Sequence, residues 1–172
     1  MAFEIETIIE RLKKKRPIFH SEADFQYSLA WEIQLVHPTI NIRLEKPFPL
    51  ENDNIRNSYI DIFITDDNKK YAIELKYKTC GLVVDVADED FHLRSHGAHR
   101  DNRVHFANDV HRLKRMKESK QTDYAYALML TNECLYWQTP ILTDLEQDIH
   151  WCEYSKLNDN KRGQFRYLLL EI

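Results

Sequence analysis

Two acidic side chains and one lysine lie on a segment that the sequence predicts to be a β-hairpin, residues 58–79. Asp61 lies on the first strand, and Glu74 and Lys76 lie on the second. Side chains alternate between the faces of a strand, so Glu74 and Lys76 share a face, and pairing of the strands brings Asp61 towards them. Two carboxylates among apolar neighbours are costly unless a cation pairs with them. The pattern therefore predicts a divalent metal site.

Such a site is suited to chemistry on phosphate esters. Mg²⁺, with Mn²⁺ as a substitute, prefers oxygen ligands and usually takes one or two carboxylates together with waters and substrate phosphates. The bound ion polarises a phosphoryl oxygen and acidifies a water. Lys76 is placed to orient that water, to assist its deprotonation, or to balance the charge that develops on phosphorus.

A simpler interpretation is that these residues lie on a solvated sheet face, where acids and lysines are common. The apolar content of both strands favours a central position instead. Ile60, Ile62 and Ile64 are predicted to point to one face, and Asp61 to the other beside Tyr59 and Phe63. A charged residue among these neighbours favours the metal site.

The segment Ile60-Asp61, followed by twelve residues and then Glu74-Leu75-Lys76, resembles the motif of the PD-(D/E)XK nuclease superfamily. The resemblance implies that Asp61 and Glu74 bind Mg²⁺ with help from the backbone carbonyl of Leu75, and that Lys76 acts on the water. The sequence departs from the family name in having Ile60 where proline is written, a position that the family often varies.

The resemblance also implies an acid on the helix that precedes the sheet. Ser21 is predicted to be the N-cap of a helix that continues to about Val36. Glu22 matches the expected acid, with Gln26 as a weaker second match and a substrate-binding candidate. An acid in the first turn also suits the helix dipole, so both interpretations of Glu22 stay open. Glu32 is less favoured because it lies farther along the helix.

The remaining elements must hold this hairpin in place. Apolar periodicity predicts helices over residues 3–15 and 101–119, strands over 40–47 and 124–131, and a terminal strand pair over 150–155 and 165–172. Loops are expected at residues 48–57 and 80–100, and a short helix or turn at 140–148. The helix over 101–119 followed by a buried strand predicts a right-handed crossover. The predicted fold is an α/β domain whose order, α-α-β-β-β-α-β-β-β, contains the α-β-β-β-α-β core of the restriction-endonuclease-like fold, with a mixed sheet flanked by helices.

Basic side chains are concentrated in two stretches. The first, residues 11–16, ends the first predicted helix, where cations favour the helix dipole. The second stretch, residues 94–120, includes arginines that surround an apolar stripe of Val104, Ala107, Val110 and Leu113. Guanidinium groups match phosphate oxygens geometrically, so its arginines are candidates for substrate contacts, although they also fit a solvated helix face. These candidates are Arg100, Arg103, Arg112 and Arg115.

Three histidines, His92, His96 and His99, raise the question of a zinc site. Their spacing matches no metal signature, and Gly97 interrupts the helix that His92 and His96 would need. A solvated loop is the favoured interpretation of residues 80–100, with a flap beside the site as an alternative. An enzyme in which the histidines carry the chemistry is a third class of function.

Length and composition fit one domain over residues 1–172. Hydrophobic residues make up 43% and charged residues 30%, with only 3 Gly and 5 Pro, which leaves little room for a linker. No apolar run approaches the ~20 residues of a membrane helix, and the N-terminus lacks the order of a secretory signal. The expectation is a cytoplasmic protein without a membrane partner. The three cysteines are odd in number and are expected to be reduced.

The leading hypothesis is a metal-dependent nuclease that cleaves phosphodiester bonds. The resemblance implies DNA as the substrate, a 5′ phosphate on the product and, as in many such enzymes, a homodimer. The formal net charge of −4 excludes a protein that coats nucleic acid without selectivity. The principal alternative is a non-catalytic module of the same fold that binds nucleic acid or a protein partner.

Overall fold

A computed structural model describes residues 3–48, 59–138 and 149–172. The predicted loop at 48–57, apart from Phe48, and the predicted helix or turn at 140–148 lie outside these residues. The helices are α1 (Ile5–Lys15), α2 (Glu22–Val36), α3 (His99–Glu118) and α4 (Leu135–Gln138), with a 3-10 turn at Lys161–Gly163. The strands are β1 (Asn41–Pro47), β2 (Tyr59–Asp66), β3 (Lys69–Lys78), β4 (Leu82–Val86), β5 (Glu89–Leu93), β6 (Tyr124–Thr131), β7 (Cys152–Lys156) and β8 (Gln164–Glu171).

Six strands form one mixed sheet in the order β1-β2-β3-β6-β8-β7. Neighbouring strands pair antiparallel except β3 and β6, which are parallel and are connected through α3. The predicted hairpin, the strand after α3 and the terminal strand pair are all present. The α/β class with a mixed sheet flanked by helices is thereby confirmed.

The sheet separates two apolar cores. On one face α1 and α2 pack against side chains that include Ile62, Ile73 and Leu75. On the other face α3 packs against side chains that include Phe63 and Ala72. Glu74 lies on the α3 side of the sheet, because it alternates with Ile73 and Leu75.

Helix α2 begins where the sequence predicts it. The Ser21 side chain accepts a hydrogen bond from the backbone N–H of Asp24 at 3.1 Å, an N-cap that satisfies one free donor of the first turn. Glu32 is buried against α1, where Arg11 and Lys15 bind its carboxylate at 2.7 and 2.6 Å. Burial alone would raise the pKa of Glu32, but these two cations hold it below its ordinary value. The carboxylate of Glu32 therefore serves the contact between α1 and α2.

The expected alternation along β2 is wrong at Ile60. Ile62 and Ile64 face α1 and α2, whereas Ile60 packs with Phe63 on the α3 side. The pairing of β1 with β2 omits the pair of Glu45 with Asp61, and Glu45 has a positive φ of 49°. This local irregularity changes the face to which the strand directs its side chains, and it does so at the proposed metal-binding residue.

The prediction of a solvated loop at residues 80–100 is also wrong. Strands β4 and β5 form a separate antiparallel hairpin, whose Leu82, Phe91 and Leu93 are buried in the core beside α2. Ala87 and Asp88 turn the chain with positive φ angles of 55° and 64°. Such a turn ordinarily uses Asn or Gly, so the sequence carries no clear hairpin signal here.

The apolar stripe of α3 differs from the expectation at one position. Val104 is 51% exposed, whereas Phe106 and Met116 are fully buried with Val110 and Leu113. Val104 precedes Phe106 by two residues, which places it about 200° around the helix from that side chain. The buried stripe also contains Asp109, which is only 8% exposed.

Within the three described ranges, the helices are all too short or too polar to cross a membrane.

Candidate metal centre

The candidate metal site is located where the pairing of β2 with β3 ends. Their pairing covers Ile62–Asp66 against Lys69–Ile73, so the β3 residues after Ile73 have no β2 partner on that edge. Along this unpaired edge of β3, two carboxylates accept hydrogen bonds from backbone N–H groups in place of a neighbouring strand. Asp61 accepts a hydrogen bond from the Leu75 N–H at 2.6 Å, and Glu22 accepts one from the Tyr77 N–H at 2.7 Å. The division of the sheet thus positions both predicted acids on one strand edge.

Glu74 is almost completely withdrawn from water, with 2% of its surface exposed. Arg112 of α3 donates a hydrogen bond to its carboxylate. Burial and the negative charge of Asp61 outweigh this contact and raise the pKa of Glu74 to about 9. The metal-free site therefore favours the protonated form of Glu74.

The pKa of Asp61 is raised as well, chiefly by burial, although the Leu75 N–H and the Lys76 ammonium act in the opposite direction. Glu74 interacts with Asp61 directly, and each carboxylate contributes to the pKa of the other. A buried acid, Glu74, next to a half-buried one, Asp61, forms a pair of carboxylates whose mutual repulsion a divalent cation would relieve. Asp61, Glu74 and the backbone carbonyl of Leu75 therefore fit a hard metal ion.

Lys76 projects from the same face of β3 as Glu74, as predicted. Its ammonium lies 2.9 Å from the Asp109 carboxylate of α3, and only 18% of its side chain is exposed. Burial alone would lower the pKa of Lys76, but Asp109, Glu22 and Asp61 together raise it above its ordinary value. Lys76 is consequently a fixed positive charge at neutral pH, suited to orienting a water or balancing negative charge rather than to accepting a proton.

Glu22 lies at the margin of this arrangement. Its carboxylate is bound by the Tyr77 N–H and lies 3.3 Å from the Lys78 ammonium, and it still contributes to the pKa values of Asp61 and Lys76. Gln26 donates 2.7 Å hydrogen bonds to the Asp61 carbonyl and to the Glu45 carboxylate. Gln26 thus holds the irregular part of β2, and its contact with substrate stays a prediction.

Across the three described ranges, no group of three or more His, Cys, Asp or Glu side chains is arranged to hold a metal ion. Asp61, Glu74, the Leu75 carbonyl and Glu22 therefore stay predictions as metal ligands. A pair of carboxylates is sufficient for Mg²⁺, which retains waters in its remaining positions.

The four predicted substrate arginines have different surroundings. Arg112 is turned towards Glu74 and Asp109, while Arg103 binds the Leu135 carbonyl at 2.6 Å and lies over the Tyr136 ring. Arg100 and Arg115 are exposed. Contacts of these arginines with substrate remain predictions.

The three histidines do not converge on one point: His92 and His96 line a common cleft, and His99 is not among the residues that line it. His96 accepts a hydrogen bond from the Thr79 N–H at 3.1 Å, His92 is exposed on β5, and His99 packs edge-on against Tyr136. A common histidine site with the spacing of a zinc centre is therefore not formed by them.

Asp109 is the functional residue that the sequence reasoning missed. It holds both Lys76 and Arg112 from α3, so it connects the lysine of the motif to the partner of Glu74. The available signal was an acid within the apolar stripe, three residues after Phe106 and four before Leu113. A buried charge at such a position requires a charged partner.

Comparison of the chain with protein-family models, with curated proteins and with solved structures finds no match.

Proposed function

We propose that this protein is a Mg²⁺-dependent nuclease of the PD-(D/E)XK type that hydrolyses phosphodiester bonds in DNA. The observation that carries the proposal is the pairing of Asp61 with a buried Glu74 whose pKa is raised to about 9, beside a lysine that stays charged. Burial of an acid next to a second carboxylate is costly in an inert protein and is useful where a divalent cation binds.

The arrangement of elements supports the same proposal. Helix α2, the meander β1-β2-β3, helix α3 and the parallel strand β6 follow one another as in the α-β-β-β-α-β core, with the β4-β5 hairpin inserted before α3. Asp61 lies near the division between two strands, and Glu74, Leu75 and Lys76 follow on the adjacent strand. This order is the one that the proposed motif leads us to expect, and it supports the proposal.

Each residue has a definable role in that reaction. Asp61, Glu74 and the Leu75 carbonyl would hold the ion, which supplies an activated water and a polarised phosphoryl oxygen when bound. Lys76, held by Asp109, would orient the attacking water and balance charge on phosphorus. Hydrolysis then breaks the P–O3′ bond and leaves a 5′ phosphate and a 3′ hydroxyl.

A cleavage assay tests the proposal. Plasmid, linear duplex and single-stranded DNA are incubated with Mg²⁺ or Mn²⁺, with and without EDTA. We expect cleavage that EDTA abolishes and that Asp61→Asn reduces by about 10²-fold or more, because asparagine retains an acceptor for the Leu75 N–H but loses the charge.

The matched control is Asp66→Asn, which removes the same charge from the far end of β2. It is expected to cleave within threefold of the wild-type rate. Equal loss in both variants, or cleavage unaffected by EDTA, would contradict the assignment.

One observation favours the alternative of a non-catalytic module. Glu74 already binds Arg112, and Lys76 already binds Asp109, so both residues have partners without a metal. Under this alternative, the wild-type protein binds DNA in the assay but leaves all three substrates intact with either metal.

A further inference from the structure

A polar cleft of about 510 Å³ lies beside the metal centre, between the start of α2, the end of β3 and the β4–β5 hairpin. We call it the hairpin cleft. Its volume is within the range of sites that hold a nucleotide-sized ligand. The polar side chains that line it include His20, Glu22, Lys78, His92, Arg94 and His96.

The wall formed by the hairpin is fixed to the rest of the fold. Thr79, at the end of β3, donates its hydroxyl to the Arg94 carbonyl at 2.7 Å and its N–H to the His96 ring at 3.1 Å. On the other side, the His20 ring stacks on Phe91 at 4.3 Å. These contacts at both ends preorganise the cleft, which reduces the entropy cost of binding.

The charges of the cleft leave one guanidinium for a ligand. The acid that lines the cleft, Glu22, is already bound by the Tyr77 N–H and Lys78, and the nearby Glu89 lies 2.8 Å from His20. The Arg94 side chain is exposed and has no hydrogen-bonding or ion-pair partner among residues 3–48, 59–138 and 149–172. A guanidinium with free donors matches the geometry of a phosphate group.

The cleft is continuous with the metal centre. The N–H groups that bind Asp61 and Glu22 belong to Leu75 and Tyr77, two residues or roughly 6.6 Å apart along one strand edge. Tyr77 also lines the cleft. The cleft therefore borders the same strand edge that binds Asp61 and Glu22.

We propose that the hairpin cleft binds a phosphate group of the nucleic-acid strand adjacent to the scissile bond, with Arg94 as its principal contact. This inference rests on the proposed nuclease function and identifies which surface holds the substrate. The inserted β4–β5 hairpin thereby contributes to substrate binding in addition to packing against the core.

Binding of fluorescein-labelled single-stranded and duplex oligonucleotides, measured by anisotropy in EDTA, tests the inference without cleavage. We expect Arg94→Gln to raise Kd about tenfold and to reduce the slope of log Kd against log salt by about 0.7 for the single strand or 0.9 for the duplex, the loss of one phosphate contact. The matched control is Lys70→Gln, an exposed cation at the other end of β3, which is expected to leave both quantities within error.

An unchanged salt slope in Arg94→Gln, equal effects of the two variants, or no binding of either oligonucleotide by the wild-type protein would overturn the inference. Displacement of the oligonucleotide by submillimolar inorganic phosphate would also overturn it, because the cleft would then select a free anion. An Arg94-dependent slope in a protein that cleaves no DNA would support the cleft while removing the nuclease function, so the two failures are distinguishable.

Discussion

Replacement of Lys76 by methionine is expected to lower DNA cleavage by about 10² to 10⁴-fold while metal binding is retained. Methionine keeps the length of the apolar stem but removes the ammonium that Asp109 holds at 2.9 Å. Because the pKa of Lys76 is raised, the loss is that of a fixed positive charge. Lys76→Arg, which keeps the charge, is therefore expected to retain more activity than Lys76→Met. Single-turnover cleavage rates and Mn²⁺ binding measure the two effects separately.

The control for this substitution is Asp109→Asn, which breaks the same ion pair but leaves Lys76 in place. It is expected to lose less activity than Lys76→Met. Cleavage by Lys76→Met within threefold of the wild-type rate would refute the role of the lysine. Identical losses of cleavage in the methionine and arginine variants would show that the positive charge of Lys76 is not what supports cleavage.

The second large effect concerns the stability of the metal-free protein, through the protonation of Glu74. Its pKa is about 9 in the folded protein and 4.5 in the unfolded chain, so the folded state binds more protons between these values. The stabilising contribution is complete below about pH 4.5 and is lost as pH rises through about 9. The free energy of unfolding should therefore fall with pH in the wild type, by at most about 1.4 kcal/mol per pH unit for one proton.

Glu74→Gln removes this titration, because a neutral amide replaces the acid at every pH. Denaturant unfolding of both proteins in EDTA from pH 6 to 9 should show a stability that falls more steeply in the wild type than in the variant. Glu6→Gln, at an exposed acid of α1, should follow the wild-type curve. Parallel curves for the wild type and Glu74→Gln would mean that Glu74 is already ionised at neutral pH.

Protonation of Glu74 is also expected to make metal binding depend on pH. Bound metal requires the ionised carboxylate, so binding releases the proton from Glu74. The apparent affinity for Mg²⁺ is thus expected to rise between pH 6 and 9, in the range where the metal-free protein loses stability.

Much of the site was predictable because it lies on regular elements. The alternation of Glu74, Leu75 and Lys76 on a strand determined which two side chains share a face, and the Ser21 cap determined where Glu22 enters. The packing of α3 against that face was not predictable in the same way. Asp109 and Arg112 meet the motif only through tertiary contacts, which no local spacing encodes.

The failures have local physical causes. Ile60 changes face because the pairing of β1 with β2 is interrupted opposite Asp61, and a single irregularity reverses the alternation on which the prediction relied. The β4–β5 hairpin was missed because Ala87 and Asp88, rather than Asn and Gly, adopt its positive φ angles. Tertiary burial of Phe91 and Leu93 is what supports that turn.

The central claim is that Asp61 and Glu74 together hold a divalent cation. Isothermal titration calorimetry of Mn²⁺ and Mg²⁺ into the wild-type protein and into an Asp61→Asn, Glu74→Gln double variant tests it most directly. The amides of the double variant cannot supply the negative charge that a bound cation requires, but they keep hydrogen-bonding capacity, so the fold is expected to persist. Saturable binding by the wild type is expected to disappear in the double variant. Equal binding by both proteins, or no binding by the wild type even with DNA present, would contradict it.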